Sequence, residues 1–207
     1  MLFRSSSNLH DDLSGKPAHQ RAWAGDSLQE DKDALEIRSS DFFGCNSFVD
    51  SEIGRVLDAA QRHAPDALIV YTSDHGDFLH GHSLSGKGPA AYDEITHIPL
   101  LVKWPGVIAE GSVCPHPVSH IDLVPTLMAA AGLPLPKMLE GSSILPVLQD
   151  HSIRPHDAIF MEFGRYEVDH DGFGGFQPMR AAFDGRYKLV VNLLATDEFY
   201  DLDTDPE

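Results

Sequence analysis

Asp74 and His75 stand side by side in Tyr71-Thr72-Ser73-Asp74-His75-Gly76-Asp77, and Lys87 follows 13 residues after Asp74 between two glycines, Gly86 and Gly88. An adjacent carboxylate and imidazole can share one divalent cation. The carboxylate suits calcium, magnesium or manganese, whereas the imidazole tilts the choice toward transition metals. Two ligands leave a calcium ion, which takes six to eight oxygens, incomplete. Lys87 adds a compact positive charge able to meet an oxyanion from the opposite side. Each residue has a plainer use as cap, turn former or solvated lysine; their joint occurrence is what points to binding of a dianion. His80 and His82 flank Gly81 in the same loop, and His82 is a further candidate for the crevice, whereas His97 reads as structural.

The surrounding elements would place these groups together. Ala67-Leu68-Ile69-Val70-Tyr71-Thr72 is an unbroken apolar run of strand length, which predicts a parallel strand covered on both faces. Before it, Phe42, Cys45, Val49, Ile53, Val56, Leu57 and Ala60 recur three or four apart, which predicts an amphipathic helix from Asp41 to about Arg62, ended by Pro65. A helix followed by a buried strand is half of an α/β repeat, and open sheets of that kind bind ligands beyond the carboxyl ends of their strands. Asp74 and His75 lie there.

Further on, Ile98 to Trp104 is a second strand, which Pro99 confines to a start or an edge. Asp122 can cap a helix through Leu123, Val124, Leu127, Met128 and Ala131, with Pro125 in its first turn and Gly132 at its end. Residues 133–157 carry repeated prolines and read as a linker. Ile159–Phe163 is a strand, and Met179 to Asn192 a hairpin around Asp184-Gly185, the signal of a type I′ turn. The expected architecture is α/β, a mostly parallel sheet flanked by helices plus a small antiparallel α+β subdomain. Residues 1–40 form a polar, poorly structured lead, 41–157 the α/β part, and 158–207 the subdomain. The loop before the hairpin carries His170 and Gln177, and Arg180 follows it; these are candidates for touching a sugar or other leaving group.

Composition limits the partners. With 32 acidic against 15 basic residues and a formal charge of -17, the long-range field repels nucleic acid and anionic membrane surfaces, so an anionic substrate needs a locally built site. Cys45 and Cys114 form neither a disulfide framework nor a CxxC pair and are expected as ordinary buried thiols. No apolar stretch reaches the roughly 20 residues of a membrane span, and Met1 to Ser7 is not a signal peptide. The compartment is left unassigned.

Residues 41–207 resemble the sulfatase branch of the alkaline-phosphatase superfamily. The likeness runs through Asn46 to Leu57, Thr72 to Asp77, Gly86-Lys87-Gly88 with Tyr92-Asp93-Glu94, Pro99 to Gly106, Ser119 to Leu127, Gly185 to Leu189 and Tyr200-Asp201-Leu202. The resemblance implies hydrolysis of a small-molecule or saccharide sulfate ester. In similar enzymes a cysteine or serine in a C-x-P/A-x-R motif becomes formylglycine, whose hydrate attacks sulfur, and metal and lysines stabilise the sulfuryl oxygens. It further implies Asp74 and His75 as one pair of metal ligands, with calcium as the family metal and manganese or magnesium as alternatives, and Lys87 as a contact of the transferring group.

The departures carry equal weight. Neither Cys45, followed by Asn46-Ser47-Phe48-Val49, nor Cys114, followed by Pro115-His116-Pro117-Val118, has the nucleophile motif, and Asp11-Asp12 has no preceding strand that would make it the family's paired aspartates. The expectation is a truncated chain, inactive alone, whose nucleophile and further strands lie upstream, with an unpaired sheet edge that lowers solubility. Two other readings stay open: a phosphonate monoester or phosphodiester hydrolase of the same superfamily, which His75 in place of asparagine also suits, and a non-catalytic remnant that binds anions or a partner.

Overall fold

A computed structural model describes residues 8–25, 32–164 and 176–206. Five α-helices and six strands lie along it, the last four strands in succession. Helix α1 spans Ala18–Ala24, α2 Lys32–His63, α3 Asp93–Thr96, α4 Leu123–Ala130 and α5 Leu145–Gln149. Strand β1 spans Ile69–Thr72, β2 Leu100–Lys103, β3 Ile159–Phe163, β4 Met179–Phe183, β5 Tyr187–Asn192 and β6 Glu198–Asp201. Among the described residues no helix is long and apolar enough to cross a membrane.

Strand β1 pairs with β2 antiparallel, Val70 opposite Val102 and Tyr71 opposite Leu101, where the apolar run predicted a parallel neighbour. Such a run signals coverage of both faces and carries no information on strand direction. One face is turned inward: Val70 and Val102 line a small pocket together with Leu123 and Leu127 of α4, Leu148 of α5 and Ile144 just before it. The other holds Tyr71 and Leu101, both exposed. Strand β2 begins immediately after Pro99, as a residue without an N–H requires. Helix α5 lies within the segment read as linker, seating Ile144 and Val147 in the interior.

The core is built around the loop that follows β1. Phe78 and Leu84 from that loop pack with Ala90 and Tyr92 against Leu13 and Ala24 of the leading segment; Trp23 meets Phe78 edge to face, centroids 5.2 Å apart. Burying a side chain such as Phe78 or Leu84 contributes about 1.5–3 kcal/mol. Polar as its composition is, the segment 8–25 therefore enters the core through its few apolar residues. Tyr200 joins this cluster to a second one, Ala91, Met179, Ala181 and Val190, on the four-stranded sheet β3-β4-β5-β6.

The hairpin forms as the alternation predicts, but its turn is displaced by one residue. The Asp184 N–H donates to the Tyr187 carbonyl, so Gly185 and Arg186 occupy the central positions and only Gly185, at φ 100°, is left-handed. A type I′ turn needs two such residues. Asp184 instead precedes the bend and accepts the N–H groups of Arg186 and Tyr187, which, with Arg186 first among its causes, holds its carboxyl below the ordinary range. Along β5 the buried positions are Lys188, Val190 and Asn192, while Leu189 and Val191 face out with Phe160 and Phe199. Buried Lys188 is satisfied by the Ala91 carbonyl and the Asp93 carboxylate, and this bridge ties the second sheet to α3.

Candidate functional site

At the end of β1 the chain leaves the sheet at Ser73. Ser73 Oγ donates to the His75 carbonyl at 2.8 Å, and the His75 N–H donates to Asp74 Oδ1 at 3.0 Å. That second bond holds the Asp74 carboxyl below its usual range. Gly76 follows because nothing larger fits. A Cβ there would lie 1.8 Å from the Glu94 carbonyl oxygen, and the Gly76 N–H donates to the Ile95 carbonyl at 3.0 Å. The turn is thus locked against α3.

His75 Nδ1 lies 2.7 Å from the Gly76 carbonyl, which can only accept, so Nδ1 carries the proton and Nε2 presents its lone pair. The Lys87 ammonium donates to that lone pair at 2.9 Å. Asp74 Oδ2 lies 3.4 Å from the same Nε2, whose lone pair the ammonium occupies. The two acceptors could share a cation once the ammonium moves aside, and an imidazole whose other nitrogen donates to a carbonyl has the orientation and tautomer of a metal ligand. Among the described residues no group of three or more His, Cys, Asp or Glu side chains is arranged to hold a metal ion. Asp74 and His75 could therefore supply two ligands to a cation, a third or less of the six to eight that calcium takes.

Lys87 reaches His75 because its loop is fixed behind it. The Phe78 N–H donates to the Gly86 carbonyl at 3.0 Å, and Leu79, His80, His82 and Ser83 all adopt positive φ. For non-glycine residues this conformation is costly and persists only where surroundings impose it. Here Ser83 Oγ bonds to the Leu9 and Asp11 carbonyls. His82 is buried, stacked on Tyr92 at 3.8 Å, with Nδ1 3.1 Å from Asp11 Oδ2 and Nε2 2.9 Å from Asn8 Nδ2. Its ring is directed into the leading segment, where a cavity of about 220 Å³ is lined by Asn8, His82, Tyr92, Glu94, Lys188 and Tyr200.

The structure thus brings Asp74, His75 and Lys87 together, on an open surface: the Asp74 side chain is 83% exposed and Lys87 is exposed. Gln177 is half-buried beside β4. Arg180 pairs with Glu162 at 3.1 Å, directly across the β3–β4 ladder, an arrangement that accounts for its charge without a ligand. His170 lies outside the described residues. One neighbour was not legible: His120 Nε2 donates to the Ser73 carbonyl at 2.8 Å, bracing the turn that carries Asp74. It sits in a short 3-10 helix, His120–Asp122, and its only signal was its place in a block whose evident use was a helix cap. Asp122 does not cap α4. Its carboxylate forms a capping box with Ser119 and also accepts from Ser142 and His156. Cys45, expected buried, is exposed on α2, and Cys114 is half-buried; the helix face that holds Cys45 has no cover among the described residues.

Comparison with known proteins gives this geometry a lineage. The Sulfatase family profile matches residues 14–133, and the profile for N-sulphoglucosamine sulphohydrolase, C-terminal, matches residues 88–207. The uncharacterized sulfatase YidJ of Escherichia coli (strain K12) is 42% identical over 197 residues, 95% of this chain and 38% of YidJ. An N-acetylglucosamine-6-O-sulfatase of Bacteroides thetaiotaomicron is 30% identical over 165 residues, 76% of this chain and 29% of that enzyme. The phosphonate monoester hydrolase of Silicibacter pomeroyi superposes with a TM-score of 0.78 at 25% identity, over 95% of this chain and 43% of that one. The chain spans well under half the length of these relatives and corresponds to a C-terminal portion of their alkaline-phosphatase-like α/β fold. It belongs to the sulfatase family.

Proposed function

We propose that the chain is the metal- and anion-binding C-terminal portion of a hydrolase of sulfate monoesters, in which Asp74 and His75 hold a divalent cation and Lys87 contacts the transferring group. The observation that carries this reading is the convergence of Asp74 Oδ2, His75 Nε2 and Lys87 Nζ, with the tautomer of His75 fixed by the Gly76 carbonyl. When bound, the cation would act as a Lewis acid on the ester oxygens. The residues of the chain do the rest. Gly76 locks the turn, His120 holds the Ser73 carbonyl, and the buried loop sets Lys87 where negative charge on a sulfuryl group would develop, the preorganised positive environment such a step needs. His82, engaged at Asn8 and Asp11, braces that loop. Calcium is the proposed ion, with manganese or magnesium as substitutes, and a sulfated saccharide or small molecule the proposed substrate class. Neither cysteine stands in a nucleophile motif, so the chain alone is proposed to be inactive. Similarity to a phosphonate monoester hydrolase supports a phosphonate or phosphodiester substrate as the second reading.

Titration with Mn2+ followed by NMR tests the metal assignment. Paramagnetic broadening should centre on Asp74, His75 and Gly76, and His75→Ala should remove it, while His82→Ala should leave it in place. Broadening centred on another acidic cluster, or unchanged in His75→Ala, would remove the basis of the reading.

A further inference from the structure

His75 offers a single lone pair to its surroundings. Its Nδ1 proton is committed to the Gly76 carbonyl at 2.7 Å, so the ring cannot present the other nitrogen without breaking that bond, and Nε2 accepts from the Lys87 ammonium at 2.9 Å. A divalent cation shared with Asp74 would bind at the same Nε2, 3.4 Å from Asp74 Oδ2. One lone pair serves one of them at a time, and two positive charges at such a distance also repel each other.

The ammonium can leave without disturbing the turn. Lys87 is exposed, and its four-carbon stem ends in a compact charge with three rotatable donors. Its main chain is held on both sides. The Gly86 carbonyl accepts the Phe78 N–H at 3.0 Å, and Gly88 lies so close to Trp23 that a Cβ there would come within 2.6 Å of the indole. Nζ therefore swings about a fixed pivot and stays beside the cation when it is driven off Nε2. In a chain of net charge -17, an anion gains attraction only from positive charge this local.

We propose that Lys87 is a counter-charge latch: it holds the His75 imidazole until a divalent cation takes the lone pair, and the ammonium so released turns to the anion, so that cation and sulfate bind with positive cooperativity. This rests on the sulfatase reading of Asp74, His75 and Lys87 and adds an order and a coupling to it. The lysine acts twice, weakening metal binding on its own and strengthening it when an oxyanion is present. A residue that only contacted the transferring group would do the second and not the first.

Mn2+ titrations of the full chain, followed by NMR at Asp74, His75 and Gly76, test it. Lys87→Met should bind Mn2+ about fivefold more tightly than the parent, because a lone pair engaged most of the time lowers the apparent affinity by the fraction left open. Lys103→Met removes the same charge from an exposed position opposite Ile69, at the far end of the β1–β2 pair. It should change the affinity by less than about twofold, since exposed charges a strand length apart are screened. Exchanging chloride for inorganic sulfate at constant ionic strength should tighten Mn2+ about fivefold in the parent, with Mn2+ tightening sulfate by the same factor, and should do far less in Lys87→Met. Without added metal, the nitrogen-15 resonance of His75 Nε2 should move in Lys87→Met and stay in Lys103→Met. Equal or weaker Mn2+ binding by Lys87→Met, an undiminished sulfate effect in that variant, or an unmoved Nε2 resonance would each overturn the latch and leave the metal site standing. No broadening at Asp74, His75 and Gly76 in either the parent or Lys87→Met would defeat the sulfatase-site reading and the latch together.

Discussion

Replacing Asp122 with alanine should destabilise the chain by about 3–5 kcal/mol, the range for removing one partner from a buried charged network. The side chain is wholly buried, and its two oxygens accept three hydrogen bonds: Oδ2 from the Ser119 N–H at 2.9 Å and from His156 Nε2 at 2.8 Å, Oδ1 from the Ser142 N–H at 2.9 Å. Alanine would strand two main-chain donors at about 1–3 kcal/mol each. His156 is partly open to solvent and can turn to water, so His156→Ala should cost only about 1 kcal/mol. Asp122→Asn should fall between, because its amide keeps one acceptor but points N–H groups at an N–H. Urea unfolding at neutral pH reads all three, with unchanged m-values showing that the comparison is sound. The consequence reaches the site, since the same 3-10 helix carries His120 to the Ser73 carbonyl. Amide exchange at Asp74 and His75 should therefore rise in Asp122→Asn. An Asp122→Ala chain within 1 kcal/mol of the parent, or no weaker than His156→Ala, would refute the claim that this carboxylate joins residues 119–122 to 142–144.

Gly76→Ala should lower the melting temperature and yield of folded protein more than Gly15→Ala, because its Cβ meets a main-chain oxygen at 1.8 Å whereas the position at Gly15 opens to free space and has no left-handed φ; equal losses would contradict the packing of Gly76 on α3. Asp201 is bonded through both oxygens to Arg186 at 2.9 and 2.7 Å, which depresses its carboxyl pKa. A folded pKa below the unfolded one contributes stability that is complete above about pH 4 and is lost as the pH falls through the depressed value. The melting-temperature difference between the parent and Asp201→Asn should accordingly be constant from neutral pH to about pH 5 and close below it. A difference that persists in strong acid would show that the pair does not act through charge.

What was legible in the sequence follows from which forces are local. Helical spacing from Phe42 to Ala60 and the alternation around Asp184 report backbone periodicity, and the structure has α2 and the β4–β5 hairpin there. The direction of β1 was not legible, because a run such as Leu68-Ile69-Val70 is equally apolar whichever way its neighbour runs. The turn moved by one residue because the Asp184 carboxylate captured two following N–H groups, a side-chain competition that the Asp-Gly signal does not resolve. Asp74, His75 and Lys87 were legible as residue types at a telling spacing. His120 was not, since its contact with Ser73 spans 47 positions and depends on how the buried Asp122 carboxylate seats its helix.

The exposure of Asp74 and Lys87 sets how strongly the three side chains can act on an anion. Charge pairs interact more weakly at a solvent-exposed surface than in a dry interior, and stabilisation of a transferring anionic group depends on a site from which water is excluded. With Asp74 and Lys87 in solvent, the -17 net charge of the chain opposes approach of a dianion, and the favourable local geometry acts in the medium where it is weakest. Excluding water from that surface would strengthen each of these interactions, and a cation at His75 Nε2 would displace the Lys87 ammonium from the lone pair it now holds. Any activity is therefore expected to depend on what excludes water from the surface of Asp74, His75 and Lys87 as much as on the three side chains themselves.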